Sequence, residues 1–441
     1  MEVTEVKKLV KDKDIAFFLC SFVEMGGAPK AKLVPTTHID DMVAGSAGFA
    51  GFAAGEMGQG PHSADMICYP DFNSLSILPW RPNVAWVAGD IRVEEQEWPY
   101  CPRTILKKQL EAAKSKGYTF NVGIEAEFML LKRNGAGTYV PWDSDDNLAK
   151  PCYDLSALNR NLDITTTLIR YMQELGWDPY ANDHEDANCQ FELNYTYSDA
   201  LTSADRYTFL KWMVKTVAEQ HGLMATFMPK PFSNLTGNGG HCHTSLWDVT
   251  GETNLFLDEK DVKGLSKMAY WFIGGILHHA RALTALTSPT VNSYKRLVRG
   301  APRSGASWAP VYITYGGNNR TQMIRIPGPG RIENRIVDGA CNPYLAITGL
   351  LAAGLDGIAN RIDPGSCNEE NLYELSEAEL HERKIHFLPT TLSEAIDCLE
   401  HDQVLREALG NTYAEYYIDV KREEWRQYHQ SVSQWELDRY L

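Results

Sequence analysis

The chain has 441 residues, 44% of them hydrophobic and 22% charged, which is the composition of a globular protein with room for two or three domains. Its formal net charge of -15 disfavours a general nucleic-acid-binding protein, because such proteins usually present a basic face. The longest apolar stretches are too short to span a bilayer and the N-terminal residues lack the apolar segment of a signal peptide, so no membrane partner is expected.

Residues 1–98 are predicted to form a small β-rich domain. Residues 5–12 have the pattern of a short helix, and a Gly-Gly turn at Gly26 and Gly27 predicts a hairpin. Strands are predicted at residues 14–23, 31–34, 74–78 and 84–87. The glycine-rich stretch 45–60 contains neither G-K-[ST] nor G-x-G-x-x-G, which favours a mobile or closely packed connector over a phosphate cradle.

The run W-P-Y-C-P-R at residues 98–103 reads as a linker to a second domain, residues 103–441. Beyond it, residues 120–131 have the pattern of a strand. Helical periodicity is found at residues 105–113, 162–173, 207–219, 263–283 and 342–358. The acidic tail from Asn368 is also helical in period and is broken at Leu388 and Pro389.

The cysteine pattern indicates a reducing compartment. The chain has nine cysteines, which is an odd number, and they are scattered without a C-x-x-C pair. This pattern fits free thiols in a cytoplasmic protein better than a disulfide framework or a structural zinc site.

Two segments carry carboxylates at alternating positions. In G-I-E-A-E-F, Glu125 and Glu127 would point to the same side of a strand, and a metal cation would offset their repulsion. Gln190, Glu192 and Asn194 alternate in the same way after the acid-rich run that contains Glu185. Two alternatives stay open at this point: exposed glutamates on a solvated face, and a polar loop that leads into an amphipathic strand.

The histidine pair of G-N-G-G-H-C-H-T-S adds a possible metal-binding feature. On a strand, His241 and His243 would project from one face, which is a frequent spacing for metal ligands. Because the other candidate ligands are glutamates, Mg²⁺ or Mn²⁺ is expected rather than zinc.

A basic tract between residues 292 and 344 is the most unusual stretch of this acidic chain. It holds seven arginines and has no Asp or Glu from residue 297 to residue 332, before the sign changes at Glu333. The arginines are Arg296, Arg299, Arg303, Arg320, Arg325, Arg331 and Arg335. Arginine matches phosphate and carboxylate oxygens, so the tract is interpreted as a floor for polyphosphate, an acidic small molecule and a cation. A solvated basic surface or a nucleic-acid stripe is the alternative. With the glutamates and histidines, the tract predicts a metal- and ATP-dependent enzyme without a P-loop.

The motifs resemble the glutamine synthetase family in order and over nearly the whole chain. The matching segments are F-V-E-M-G-G, D-M-I-C-Y-P-D, G-I-E-A-E-F, H-E-D-A-N-C-Q-F-E, T-F-M-P-K-P-F, G-N-G-G-H-C-H-T-S-L-W, N-S-Y-K-R-L, N-N-R-T-Q-M-I-R-I-P, R-I-E-N-R and D-G-A-C-N-P-Y. The resemblance implies an α+β fold, in which a small N-terminal β-grasp domain precedes a large catalytic domain with a curved antiparallel sheet and flanking helices. It also implies a dodecamer of two hexameric rings, with active sites shared between subunits.

The resemblance implies a role for each matching residue. Two or three Mg²⁺ or Mn²⁺ ions are expected, one site being Glu127, Glu185 and Glu192 and the second Glu125, His241 and Glu333. L-glutamate would meet Arg296, Arg335, Gly237, Glu127 and His241, and the amine would meet Tyr153 and Glu185. ATP would meet Arg320, Arg325, Arg331, His243 and Ser245, and the residues expected to act in catalysis are Glu185, Arg296, Arg320 and Arg335.

Two departures from the family pattern concern the amine. The family carries an ammonium-binding Asp in its N-terminal domain, but residues 42–55 contain no acid and the matching stretch is F-A-G-F-A. The family also carries a flap glutamate, and here Trp308 stands at that place. A pocket that lost two anions and gained apolar surface is expected to favour a larger amine.

The pattern is similar to that of γ-glutamylmethylamide synthetases and the type III-like bacterial glutamine synthetases. We therefore expect a ligase that forms γ-glutamyl phosphate from glutamate and ATP and prefers methylamine or another short alkylamine. Glutamine synthetase proper, which uses ammonia, is the alternative. A non-catalytic family member is disfavoured, because all six metal-ligand positions are intact.

Tyr373 aligns with a tyrosine that is adenylylated in some bacterial relatives. Because that modification also needs a partner enzyme, a surface tyrosine without this role is favoured.

Overall fold

The computed structural model describes residues 1–299 and 307–441. Arg303 and most of the predicted flap lie outside the described residues. The helices are α1 Val3–Asp12, α2 Ile39–Val43, α3 Pro102–Ser115, α4 Leu155–Arg160, α5 Leu162–Glu174, α6 Ala200–Gln220, α7 Lys267–His278, α8 Ala280–Thr287, α9 Ser293–Arg296, α10 Pro343–Asn360, α11 Glu377–Glu382, α12 Leu392–Glu400, α13 Gln403–Leu409, α14 Asn411–Gln430 and α15 Gln434–Tyr440. Short 3-10 turns lie at Thr36–His38, Gly51–Ala53, Phe72–Ser74 and Leu372–Glu374.

Within residues 1–299 and 307–441, the strands form three larger sheets and one short pair. They are β1 Phe17–Val23, β2 Pro29–Pro35, β3 Gly48–Phe49, β4 Met66–Pro70, β5 Ser76–Leu78, β6 Arg81–Val93, β7 Gln96–Glu97, β8 Tyr118–Ile124, β9 Ala126–Arg133, β10 Tyr139–Pro141, β11 Pro179–His184, β12 Gln190–Tyr195, β13 Ser198–Asp199, β14 Met224–Thr226, β15 Cys242–Asp248, β16 Tyr312–Ile313, β17 Tyr315–Gly316, β18 Ile324–Gly328, β19 Arg331–Asn334 and β20 His386–Phe387.

The first sheet confirms the β-grasp prediction. Its order is β2-β1-β6-β4-β3, with β5 and β7 also paired to β6. The predicted hairpin is present, since β1 and β2 run antiparallel and Gly27 takes the φ of +84° that the turn requires. β1 also pairs in parallel with β6, and Phe18, Cys20 and Phe22 pack into the core beneath the sheet. The strand predicted at residues 84–87 is longer than expected, and the strand predicted at residues 74–78 is shorter, because Ser74 ends a 3-10 turn and β5 begins at Ser76.

The strand predicted at residues 120–131 is two strands that belong to different sheets. β8 pairs with β13 and β15, whereas β9 pairs with β10, β12 and β14. Glu125 lies at the break between β8 and β9. The chain therefore changes sheet at Glu125, and the two sheets together form the curled half-barrel. Most of its pairs are antiparallel, as expected, but β17 and β18 are parallel.

The helices pack behind these sheets around α10, whose buried face contacts α7, α3 and α6. A single helix was predicted at residues 263–283. The structure instead has two helices there, α7 and α8, which are separated at His279. The His279 ring bridges Asp402, at 2.6 Å, and Asp356, at 3.2 Å. The helix predicted at residues 207–219 begins earlier, where the Asp199 carboxylate accepts a hydrogen bond from the Thr202 N–H. Among the described residues, no helix is long and apolar enough to cross a membrane.

A buried ion-pair network joins the β-grasp sheet to the helices. Arg103, at the start of α3, is 3% exposed and binds the carboxylates of Asp205, Asp90 and Asp71 at 2.9–3.0 Å. The Tyr344 hydroxyl donates a hydrogen bond of 2.6 Å to Asp205. Because three carboxylates share one guanidinium, removal of Arg103 would leave several buried or half-buried charges without a partner.

We expect Arg103→Ala to lower the free energy of unfolding by about 3–5 kcal/mol, because a buried pair that loses one partner leaves an uncompensated charge. Lys107→Ala is the matched control, since Lys107 lies one turn later on α3 and also pairs with Asp90, but its side chain is 41% exposed. That change should cost about 1 kcal/mol or less. Urea unfolding of both variants checks this, and equal losses would contradict it.

Candidate active site

Two cavities of about 570 and 580 Å³ meet at Glu125. The first is lined by the sequence-predicted residues Glu125, Glu127, Tyr153, Glu185, Glu192, Gly237, His241, Arg296, Arg320, Arg325 and Arg335. The second is lined by Glu125, His243, Ser245 and Arg331. Glu333 lies behind the first cavity and is fully buried. The fold thus brings together residues that are more than two hundred positions apart in the sequence.

Three carboxylates form a row across adjacent strands. In the antiparallel register, Asp183 on β11 lies opposite Glu192 on β12, and Glu192 lies opposite Glu127 on β9. Directly opposite residues in such a sheet point to the same face, where like charges repel. Glu185 follows at the end of β11 and faces the same cavity. This arrangement requires cations, either from arginines and histidines or from metal ions.

Glu125 is the carboxylate that two histidines hold in its charged form. His241 Nδ1 lies 3.2 Å from one of its oxygens and His243 Nε2 lies 2.7 Å from the other. Burial raises the pKa of Glu125, but the hydrogen bonds and charge of the two imidazoles outweigh burial and hold this pKa well below its usual range. Glu125 is therefore a negative charge at the junction of the two cavities.

Glu185 and Glu192 are shifted in the opposite direction. Burial, together with the charges of Glu127 and the neighbouring acids, raises the pKa of Glu185 to about 8. Burial and the charges of Glu125, Glu185 and Glu127 raise the pKa of Glu192 well above its usual value. In the absence of a cation, these raised pKa values favour the protonated form of both carboxyl groups, and a metal ion that binds there would displace protons.

The geometry suggests three groups of ligand atoms that could hold a metal ion. Each group has ligand atoms within 4.8 Å of one another: Glu125, Glu192 and His241; Glu125, His243 and Glu333; Asp183, Glu185 and Glu192. These groups differ from the two expected metal sites, because they include His243 and Asp183, which were not among the expected ligands. The donor set of carboxylates and imidazoles suits Mg²⁺ or Mn²⁺. The expected ligand assignments stay predictions.

Arginines from the basic tract stabilise Glu333 from below the cavity. Arg335 Nη1 lies 2.5 Å from one oxygen of Glu333, and Arg325 Nη1 lies 2.8 Å from the other. Burial raises the pKa of Glu333, yet the Arg335 charge and its other cationic neighbours lower it overall. Arg296 is 6% exposed and donates to the backbone carbonyls of Arg335 and Ile336. Its guanidinium is thus fixed at the cavity wall, while its charge has no carboxylate partner within hydrogen-bond distance among the described residues.

Arg331 and Arg335, which flank Glu333 at alternating positions, line different cavities. β19 ends at Asn334, and Arg331 is exposed and lines the second cavity. Arg335 lines the first. Arg299, by contrast, lies away from both cavities and pairs with Glu377 at 2.9 Å.

The backbone around Gly237 approaches the site closely. Gln190 Nε2 donates a hydrogen bond of 3.0 Å to the Gly237 carbonyl. A Cβ atom at Gly237 would lie 2.2 Å from the Pro229 carbonyl oxygen. Only glycine fits at this position. The N–H of the nearby Gly239 donates a hydrogen bond of 2.6 Å to the Glu127 carboxylate, which fixes the position of this carboxylate.

Aromatic residues border the first cavity on its outer side. Tyr153 is 71% exposed, and its left-handed backbone is fixed by a 2.8 Å hydrogen bond from its N–H to the His184 carbonyl. Trp308 is 36% exposed and lines the same cavity. Cys152 lies between Tyr153 and the carboxylates, with its sulfur 4.0 Å from Glu185.

Several lining residues were not foreseen from the sequence. In the first cavity they are Lys150, Cys152, Asp183, Asp186 and Thr236. In the second they are Tyr180, Tyr195, Tyr197, Trp247 and Asn254, among others. Asp183 and Asp186 flank Glu185 in the sequence, which was a usable signal, but nothing local distinguishes Lys150 or Tyr180. Aromatic side chains around the second cavity provide flat surfaces on which a nucleotide base can stack.

Tyr373 is not the surface tyrosine that was expected. Its hydroxyl is buried, and its ring packs on Tyr312 with 6.2 Å between centroids. In this structure the hydroxyl is not accessible to a modifying enzyme.

Known proteins match this chain over nearly its whole length. Residues 99–440 match the catalytic domain of glutamine synthetase. The chain is 47% identical to the glutamate–methylamine ligase of Methyloversatilis universalis, covering 100% of this chain and 99% of that protein. It is 45% identical to a glutamine synthetase of Rhizobium meliloti, covering 98% of each. A solved complex of GmaS with ADP superimposes with a TM-score of 0.92, at 48% identity and over 98% of both chains.

The raised pKa of Glu185 predicts a pH-dependent metal affinity. Because a metal ion must displace the proton from a group with a pKa of about 8, Mn²⁺ affinity should rise as pH increases toward that value and then level off. Titration calorimetry from about pH 6 to about pH 9 measures this, and protons should be released on binding. Glu185→Gln should weaken binding and flatten the dependence. An affinity that is constant over this range in the unmodified protein would contradict the prediction.

Proposed function

The chain belongs to the glutamine synthetase family, and we propose that it joins the γ-carboxylate of L-glutamate to methylamine or another short alkylamine with ATP. The observation that carries the amine preference is Trp308, which lines the first cavity beside Tyr153 and Glu185. An indole ring stands where an acidic side chain is expected in relatives that use ammonia, and it gives the amine an apolar surface.

The proposed reaction has two steps. An oxygen of the glutamate γ-carboxylate attacks the terminal phosphorus of ATP, which gives γ-glutamyl phosphate and ADP. The amine nitrogen then attacks the γ-carbonyl carbon and loses a proton, and inorganic phosphate leaves. The two adjoining cavities support this order, because the nucleotide and the amino acid would meet at Glu125.

The arginines would bind the anionic groups of both substrates. Arg320 and Arg325 line the first cavity and Arg331 lines the second, so they would lie on either side of the transferred phosphoryl group. Their charge would stabilise the negative charge that develops during transfer. Arg296 and Arg335, fixed deep in the cavity wall, would bind the glutamate carboxylates.

The carboxylates would hold the metal ions. Glu125, Glu127, Glu185, Glu192, His241 and Glu333 are the proposed ligands of two or three Mg²⁺ or Mn²⁺ ions. When bound, such ions neutralise phosphate charge and polarise the phosphoryl oxygens. The mutual repulsion of buried carboxylates that face one cavity supports this assignment.

The amine would bind at the aromatic side of the first cavity. Tyr153 and Trp308 can contact a methyl group and stabilise a positive charge through their ring faces, while Glu185 attracts the ammonium. An additional methyl group in an apolar pocket improves binding by about tenfold or more. Glutamine synthetase proper remains the second candidate, because the Rhizobium meliloti enzyme is 45% identical.

We further propose that the chain assembles as a cytoplasmic dodecamer of two hexameric rings with active sites between subunits. Phe52, in the stretch that replaces the ammonium-binding loop of the family, is 61% exposed. In a shared site this ring would face the amine pocket of the next subunit and add to its apolar character. The cytoplasmic location rests on the pattern of free cysteines.

We expect kcat/KM for methylamine to exceed that for ammonia by about tenfold or more, because the apolar walls favour the methyl group. ADP release with ammonia, methylamine, ethylamine and a polyamine, each with ATP, glutamate and Mg²⁺ or Mn²⁺, measures this. Trp308→Glu should shift the ratio toward ammonia, whereas Trp308→Phe, the matched control, should keep it. Equal or better use of ammonia by the unmodified enzyme would refute the amine preference.

The proposed assembly has a direct test. Light scattering coupled to gel filtration should give a mass near twelve chains, and Phe52→Asp should weaken subunit contacts or amine binding. A monomeric or dimeric mass with full activity would contradict shared active sites.

A further inference from the structure

A separate cavity of about 230 Å³ lies between the linker at residues 98–103, helix α3 and the junction of α13 with α14. We call this cavity the α3–α14 cleft. It shares no lining residue with the two cavities of the candidate active site. Sites for drug-sized ligands usually measure about 300–1,000 Å³, so an occupant of the cleft would be a small molecule.

The cleft is lined by two buried hydroxyl groups that the protein leaves unpaired. Thr104, on the first turn of α3, is 5% exposed, and Tyr413, on the first turn of α14, is 1% exposed. Both residues line the cleft. Within residues 1–299 and 307–441, neither hydroxyl has a hydrogen-bond partner. Because buried polar groups are nearly always paired, these two hydroxyls indicate a polar ligand.

The start of α14 and a lysine favour an anion in the cleft. α14 begins at Asn411 and its N-terminus has no side-chain cap. Asn411 and Thr412 line the cleft, so the unpaired backbone N–H groups of the first turn and the positive end of the helix dipole lie there. Lys108 adds a positive charge. Its ion pair with Glu97, at 3.0 Å, is exposed on both sides and contributes little stability, so the lysine is available to a ligand.

The remaining walls of the cleft are mainly apolar. They are formed by Trp98, Pro99, Ile105, Ala408 and Leu409. Glu407 is the one acid among the described lining residues, and its carboxylate accepts a hydrogen bond of 2.7 Å from Gln403. A carboxylate with a short apolar chain matches this combination of a helix N-terminus, a lysine and apolar walls.

Trp98 connects the cleft to the glycine-rich loop at residues 45–60. Its indole N–H donates a hydrogen bond of 2.8 Å to the Met57 carbonyl. The Tyr416 hydroxyl, on α14, donates a hydrogen bond to Glu56 in the same loop. Tyr100 packs between these two anchors, with its ring centroid 5.2 Å from that of Trp98 and 5.1 Å from that of Tyr416. A ligand that contacts Trp98 would therefore stabilise the anchored position of the loop.

We propose that the α3–α14 cleft binds a short-chain carboxylate and that this binding stabilises the glycine-rich loop in its observed position. The carboxylate accepts hydrogen bonds from the N–H groups at the start of α14, from the Thr104 hydroxyl and from Lys108. The apolar chain packs against Trp98. This site is distinct from the cavities that would hold ATP, glutamate and the amine, so the proposal does not depend on which amine the enzyme uses.

A ligand-observed NMR titration of the full chain with butyrate tests the site. Butyramide is the neutral comparison, because it has the same chain without the charge. We expect saturable binding of butyrate and binding of butyramide that is weaker by about tenfold or more, since hydrogen bonds to a charged group are the stronger ones.

Thr104→Val and Lys108→Met should each weaken butyrate binding by about fivefold or more, whereas Thr104→Ser keeps the hydroxyl and should retain the affinity. Lys114→Met is the matched control, since Lys114 is an exposed lysine on the same helix and lies outside the cleft. It should leave butyrate binding unchanged. Because Lys108 is exposed, Lys108→Met tests the site even if Thr104→Val does not fold.

Hydrogen exchange measures the effect on the loop. Butyrate should slow amide exchange in peptides that cover residues 51–58 of the unmodified protein, and the effect should disappear in Lys108→Met. Butyrate binding that persists in both Thr104→Val and Lys108→Met would overturn the site, and equal binding of butyramide would overturn its preference for a carboxylate. Unchanged exchange at residues 51–58 with butyrate bound would overturn the stabilisation of the loop.

Discussion

The repulsion among carboxylates that face one cavity is the constraint on which this structure depends. Glu127, Glu192 and Asp183 lie opposite one another on three adjacent strands, and Glu185 and Glu125 adjoin them. Such a concentration of like charge is unfavourable unless cations compensate it. The protein provides part of the compensation through histidines and arginines, and the remainder is what metal ions and a cationic substrate would supply.

The carboxylates are not all neutralised to the same extent by cationic side chains, and their pKa values therefore differ. His241 and His243 keep Glu125 charged, and Arg335 and Arg325 keep Glu333 charged. Among the described residues Glu185 has no such cationic partner, and burial raises its pKa to about 8. The charged members are ready ligands, whereas Glu185 exchanges a proton for a cation. Each group therefore responds differently to the same metal ion.

The aromatic border of the first cavity is built by loops, while its charged floor is built by strands. The strands set the carboxylates at distances that vary little, because antiparallel pairing determines the spacing. Tyr153 and Trp308 lie on irregular segments with left-handed backbones. A family can therefore keep the phosphate and metal chemistry on its strands and change the amine by exchanging loop residues.

The sequence alone determined the family, the β-grasp and curled-sheet architecture, and the inventory of glutamates, histidines and arginines, because these depend on local motifs and their order. It also showed the missing acids at residues 42–55 and at Trp308. Only the tertiary structure decided that residues 120–131 divide at Glu125, that Arg331 lines the other cavity from Arg335, and that Asp183 completes the carboxylate row. The reason is physical: periodicity specifies which side of a strand a residue occupies, whereas its neighbours depend on pairing with strands distant in the chain.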